Sequence, residues 1–173
     1  LLRRAAAHPF GEAGRALADL ASDVSREGSG QWCRVEEVLE FAARAGARKL
    51  GIVFCHGLRE EARVLDRVLR VNNFDVASAA CKAGAYPKEC IGVEDHEKVR
   101  PGSAEMMCNP LAQAELLNRE RTDLNILMGQ CAGHDTATIG YLDALTVYLV
   151  VKDRVLAHNT AAAIYREMAA SYD

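Results

Sequence analysis

The chain has 173 residues, a formal net charge of −3 and 50% apolar residues. That length suits a single domain whose core is large enough to fold without staples. The mildly acidic balance argues against a nucleic-acid binder held by a broad basic field. No apolar run reaches the roughly 20 residues that a membrane span needs.

Taken in chain order, the pattern opens with two amphipathic helices. Within Pro9–Glu27, Leu17, Leu20, Ala21 and Val24 share one helix face, and Gly28-Ser29-Gly30 ends the run. Within Arg34–Ala45, Val35, Val38, Leu39 and Ala42 repeat the spacing, and Gly46 is a C-terminal stop. Lys49–Cys55 is then a short apolar run of the kind that makes a buried parallel strand. A helix follows over Leu58–Val71, with Leu58, Ala62, Leu65, Val68 and Leu69 inward, and a second strand over Phe74–Cys81. Residues 82–109 form a long irregular connection, a length that is uncommon unless functional. Asn109-Pro110 supplies an N-cap and a first-position proline for a helix running to about Arg121. Leu124–Cys131 is the third strand, Gly133–Leu142 a short helix and Leu145–Lys152 the fourth strand. Thr160–Ser171 closes the chain as a helix with Ala161, Ile164, Tyr165, Met168 and Tyr172 on one face.

Strands alternating with helices imply a three-layer α/β fold, Rossmann-like or flavodoxin-like, around a parallel sheet. With right-handed crossovers the expected strand order is 2-1-3-4. Residues 1–46 are expected to add a helical layer to a sheet core formed by residues 47–173, all within one domain.

Six cysteines stand out in such a chain. The start, Leu1-Leu2-Arg3-Arg4-Ala5-Ala6-Ala7-His8-Pro9, has no signal-peptide pattern, which favours a cytoplasmic setting where thiols stay reduced. Cys55, Cys81 and Cys131 each close a strand. Sites in open parallel sheets form beyond the carboxyl ends of the strands, where the strand order reverses. Adjacent strands lie about 4.8 Å apart, so these three thiols are expected within about 10 Å of one another. Cys108, just before the Asn109-Pro110 helix start, is positioned to fold over the same edge. Four thiolates suit tetrahedral zinc or an iron–sulfur cluster. A buried free cysteine otherwise serves as a small apolar residue. Cys33, at a helix start, and Cys90, in a polar loop, read as incidental.

Two other chemistries fit parts of the same region. Cys131, His134 and Asp135 are the components of a nucleophilic enzyme, and Cys55 also precedes a helix whose N-terminus would favour thiolate. His134 reads equally as a ligand, a partner of a ligand or a helix-capping residue. Gly129 and Gly133 would let backbone approach a ligand, with Lys82 and Asn109 beside it. Lys82, Lys88 and Lys152 could hold a phosphate, although no nucleotide-binding glycine motif is present. The expected partner is a small molecule or a redox protein.

Several blocks of the sequence are similar to one family. They include Arg34–Ala42, Gly51–Ala62 and Cys81-Lys82-Ala83-Gly84 with Pro87-Lys88-Glu89. The most specific are Met107-Cys108-Asn109-Pro110-Leu111-Ala112-Gln113-Ala114-Glu115-Leu116-Leu117-Asn118 and Thr122-Asp123-Leu124-Asn125-Ile126. Gly129-Gln130-Cys131-Ala132-Gly133-His134-Asp135 and Val151–Asn159 complete the set. Together, across roughly residues 34–165, they resemble domain of unknown function 1847, whose members are usually labelled as metal-binding. The resemblance implies that Cys55, Cys81, Cys108 and Cys131 have counterparts in the family's shared motifs, whereas Cys33 and Cys90 do not. Family members also tend to carry a cysteine-rich segment at the extreme N-terminus.

Overall fold

Four short segments, three of them rich in Leu, Ile and Val and one rich in Ala, make one parallel sheet: β1 (Lys49–Phe54), β2 (Asp75–Ala80), β3 (Leu124–Met128) and β4 (Thr146–Val150). The computed structural model describes residues 11–170. The strand order is β2-β1-β3-β4, as the alternating pattern implies. Central β1 pairs in parallel on both sides, with Phe54 opposite Ala80 on β2 and opposite Met128 on β3.

The alternation of side chains along β1 explains the layers. Leu50 and Ile52 join Leu124, Ile126 and Met128 on one face, where α2 (Arg34–Arg44) and α3 (Arg59–Val71) bury Val38, Ala42, Leu65 and Leu69 against them. Val53 and Ala79 point to the other face, under Leu117 of α4 (Pro110–Arg119), next to α5 (His134–Tyr141). The first helix, α1 (Glu12–Gly28), packs beside α2, with its Leu17 reaching the same core. Residues 1–10, which include the start of the expected first helix, lie outside the described residues.

Three sequence expectations change. The third strand ends at Met128, not Cys131, because Gly129 takes a left-handed conformation (φ 65°) and turns the chain. Strands β1 and β2 likewise stop one residue before Cys55 and Cys81. The closing helix α6 (Ala161–Ala170) leaves Ile164 and Tyr165 exposed, so these two members of its apolar face are not part of the core. Tyr172 lies outside the described residues. Among the described residues no helix is long and apolar enough to cross a membrane.

Gly51 marks the tightest interstrand contact. A Cβ there would overlap the side-chain oxygen of Asn125 on β3, which is fully buried and accepts a hydrogen bond from Thr122 Oγ1 at 2.8 Å. Substituting Gly51→Ala should lower unfolding stability by about 1–3 kcal/mol through overpacking. Urea denaturation would check this, and a neutral result would mean the strands part easily at this point.

Candidate thiol site at the carboxyl edge of the sheet

The register of β1 brings the first two thiols together. Phe54 and Ala80 are paired, so Cys55 and Cys81, each the next residue, leave the sheet side by side. The ladder continues one step further: Cys81 N–H donates to Phe54 O (2.9 Å), and Cys55 N–H donates to Met128 O (3.0 Å). Both cysteines are buried, and each shifts the ionisation of the other.

The long connection delivers the third thiol. Its two limbs are stitched by Lys88 N–H to Glu105 O (2.9 Å), Met107 N–H to Tyr86 O (2.8 Å) and a Lys88–Glu105 ion pair (2.7 Å). Inside it, the buried Lys98 ammonium donates to Asp95 Oδ1 and to Ser103 O, both at 3.0 Å, and pairs with Glu89. At its end Asn109 N–H donates to Cys81 O (2.7 Å), and the Asn109 side chain caps α4 by accepting from Ala112 N–H (3.0 Å). Cys108 is thereby held next to Cys81, and the two thiols shift each other's ionisation.

Cys131 arrives on the turn after β3. At Gly129 a Cβ would overlap Leu58, so the turn admits only glycine on two grounds, conformation and space. Cys131 is partly exposed, and its sulfur accepts from Arg154 Nη2 at 3.5 Å.

Cationic and amide donors converge on these sulfurs. Lys152 Nζ lies 2.6 Å from Cys55 Sγ, and the His56 backbone N–H donates to Cys81 Sγ at 3.3 Å. The Gly57 backbone also favours the Cys55 thiolate. Lys152 and Arg154 project from the loop after β4. Asp153 organises that loop by accepting from Val155 N–H (2.9 Å) and Leu156 N–H (2.8 Å), while His158 Nδ1 accepts from Asp153 N–H (3.1 Å).

The ionisation of the thiols follows from this chain of contacts. Cys108 is drawn down to about 7, chiefly because its thiolate accepts a hydrogen bond from Cys81; burial opposes the shift and the Lys82 charge assists it. Cys81 is raised in turn by that hydrogen bond to Cys108. Cys55 is pushed up to about 12, first by its hydrogen bond with Cys81 and then by burial, and Lys152 offsets only part of this.

The structure treats the remaining sequence candidates differently. Asp135 Oδ1 is committed to its own helix start, accepting from Gly133 N–H (3.1 Å) and Thr136 N–H (2.7 Å). Among the described residues no side-chain hydrogen bond joins His134 to Cys131 or to Asp135, so the three do not form a nucleophilic relay. In the first turn of α5 the Thr136 N–H is already engaged by Asp135. Gly133 supports this turn with φ 88°. Lys82 is exposed and acts on Cys108 only through its charge. Lys88 is taken by Glu105, and Lys152 by Cys55. Cys33 caps α2 and Cys90 sits in a short 3-10 turn; both are exposed and outside the sulfur contacts. Among the described residues no group of three or more His, Cys, Asp or Glu side chains is arranged to hold a metal ion. The register brings Cys55 and Cys81 to adjacent strand ends, the Asn109 N–H to Cys81 O bond holds Cys108 next to Cys81, and Cys131 lies on the turn after β3.

Arg154 and Gln113 were not legible as site residues. Arg154 depends on β4 lying next to β3, and Gln113 is a buried polar residue on an otherwise apolar helix face. An open groove of about 740 Å3 runs along β2 and α3, lined by Arg59, Arg63, Arg67 and Ser78, with Phe54, His56 and Ala80 at its thiol end and none of the cysteines in its lining.

Comparison with known proteins agrees with the sequence blocks. The model of the family described as "Protein of unknown function (DUF1847)" matches residues 4–149. The chain belongs to the DUF1847 family. It is 46% identical over 132 residues to the uncharacterized protein MJ0455 of Methanocaldococcus jannaschii, an alignment covering 76% of this chain and 66% of that relative. The chain thus spans just under two thirds of the length of that relative. No solved structure matches.

For this DUF1847 protein, the thiol row predicts distinct alkylation profiles in metal-free protein. Only thiolate reacts, so Cys108 should reach half its maximal iodoacetamide rate near pH 7, while Cys55 stays slow until strongly alkaline pH. Peptide mass spectrometry across a pH series reads both. Equal profiles for the two cysteines would show that the row does not form.

Proposed function

We propose that this protein carries a cysteine-ligated metal centre, zinc or an iron–sulfur cluster, with Cys55, Cys81, Cys108 and Cys131 as ligands. Its role would be redox chemistry or the binding of a small molecule beside the metal. The observation that carries this reading is the set of donors directed at sulfur: Lys152 on Cys55, His56 N–H on Cys81 and Arg154 on Cys131. A neutral thiol gains little from such donors, whereas a sulfur anion gains charge-assisted hydrogen bonds. Metal-bound cysteine is held as thiolate, and hydrogen bonds to its sulfur tune the centre. When bound, zinc would supply Lewis acidity and a cluster would supply one-electron transfer.

The chain's own residues would do the rest. Lys152 and Arg154 offset the negative charge that four thiolates bring to one edge. Burial of Cys55 and Cys81 limits water on the sheet side, and the partial exposure of Cys108 and Cys131 leaves the outer side open to a partner. A reducing, cytoplasmic setting suits such a centre, and all six cysteines are free of disulfides.

A thiol nucleophile is the second reading. The observation that favours it points to Cys108, the thiol drawn down to about 7, in place of Cys131 or the strongly raised Cys55.

Anaerobic purification followed by metal and sulfide analysis tests the proposal. Colourless protein with near-stoichiometric zinc, or brown protein absorbing broadly near roughly 400 nm, is expected. Cys81→Ser should remove most of the metal. Metal-free protein that takes up neither zinc nor iron, and that is trapped covalently at Cys108 alone, would replace the metal centre with the nucleophile.

A further inference from the structure

One carboxamide touches the framework of all four cysteines. Gln113 is fully buried on the second turn of α4, the helix that starts two residues after Cys108. Its Nε2 donates to Phe54 O (3.1 Å), next to Cys55, and to Ala79 O (2.7 Å), two residues before Cys81. Its Oε1 accepts from Gln130 Nε2 (2.5 Å), next to Cys131. Gln130 Oε1 in turn accepts from Thr138 Oγ1 (2.8 Å), which anchors α5.

The direction of this chain is forced. Two backbone carbonyls can only accept, so the Gln113 NH2 must face them and its oxygen must face Gln130. Gln130 then presents its own oxygen to the Thr138 hydroxyl. Every polar atom is used, and among the described residues no buried side-chain nitrogen or oxygen lacks a partner. Neither a hydrophobic residue nor a carboxylate reproduces the pattern: the first removes a donor from both carbonyls and the acceptor from Gln130, the second sets oxygen against oxygen.

We propose that Gln113 is a positioning residue for the thiol site, holding the segments that carry Cys55, Cys81, Cys108 and Cys131 in one arrangement. The inference deepens the metal-centre reading, since it asks what keeps the four sulfurs together. It does not require that reading, because a shared thiol site of any function would need the same brace. Gln113 touches no sulfur in the structure. Its effect runs through the Phe54 and Ala79 carbonyls and through Gln130.

Gln113→Met, which keeps an unbranched side chain of similar length, tests the proposal in the full chain. Two readouts are combined. The first is per-cysteine iodoacetamide labelling of metal-free protein at pH 7, read by mass spectrometry. The second is zinc titration with a chromophoric chelator as competitor. Labelling of Cys108 and Cys131 should change at least about fivefold relative to the exposed Cys33 and Cys90, and zinc affinity should fall about 10–100-fold, the usual effect of losing an outer-shell partner. Leu69→Ala, which removes packing on the opposite face of the sheet, is the control for lost stability. If Gln113→Met does not fold, Gln130→Met cuts only the outer arm and should alter Cys131 selectively.

Labelling rates and zinc affinity unchanged in a folded Gln113→Met protein would overturn the proposal. So would the same changes in Leu69→Ala, since they would then report stability alone. If wild-type protein binds neither zinc nor iron, the metal reading fails, and the labelling pattern still decides the role of Gln113.

Discussion

Everything at the candidate site depends on β1 being paired in parallel on both sides. A strand with two parallel neighbours fixes three carboxyl ends at one edge, and the side chain following each end is set by register. Phe54 stands opposite Ala80 and opposite Met128, so whatever follows these residues must meet. The chain follows them with Cys55, Cys81 and, after the Gly129 turn, Cys131. The close fit of Gly51 against Asn125 belongs to the same constraint, because it lets β1 and β3 approach with a polar side chain between them.

A row of thiols is electrostatically incomplete by itself. Placing sulfurs side by side makes them compete for protons, and together with burial this is why Cys108 falls while Cys55 and Cys81 rise. The fold answers with donors from separate elements: the amide after Cys55, and two cations from the loop that Asp153 and His158 close. Beneath the sulfurs lies a second polar layer, Gln113, Gln130 and Thr138, buried and fully paired. Buried polar networks of this kind give a site one geometry, because each unmade bond carries a large penalty.

Much of this was legible in the sequence, and the reasons are specific. Apolar runs ending in Cys55 and Cys81 announced strands whose ends carry thiols. Asn109-Pro110 announced the helix start that places Cys108. The 2-1-3-4 order followed from handed crossovers and put these residues on one edge. The Gly129 turn was missed as a strand end because the apolar pattern of Leu124–Met128 does not show where curvature begins. The nucleophilic relay of Cys131, His134 and Asp135 looked plausible because the residues are neighbours in sequence. In three dimensions Asp135 turns back to cap its own helix. Gln113 was hidden for a different reason: helix periodicity finds apolar faces, and a buried glutamine reads as a break in one. Its value appears only when two strand carbonyls and Gln130 arrive beside it.

The central claim is that four cysteines from four segments act as one ligand set. X-ray absorption at the metal edge of anaerobically purified protein tests it most directly. The account predicts a first shell of sulfur only, with four scatterers at about 2.3 Å from zinc or iron. A shell dominated by nitrogen or oxygen at about 2.0 Å would contradict it, because the metal would then be held by histidine or carboxylate away from the thiol edge.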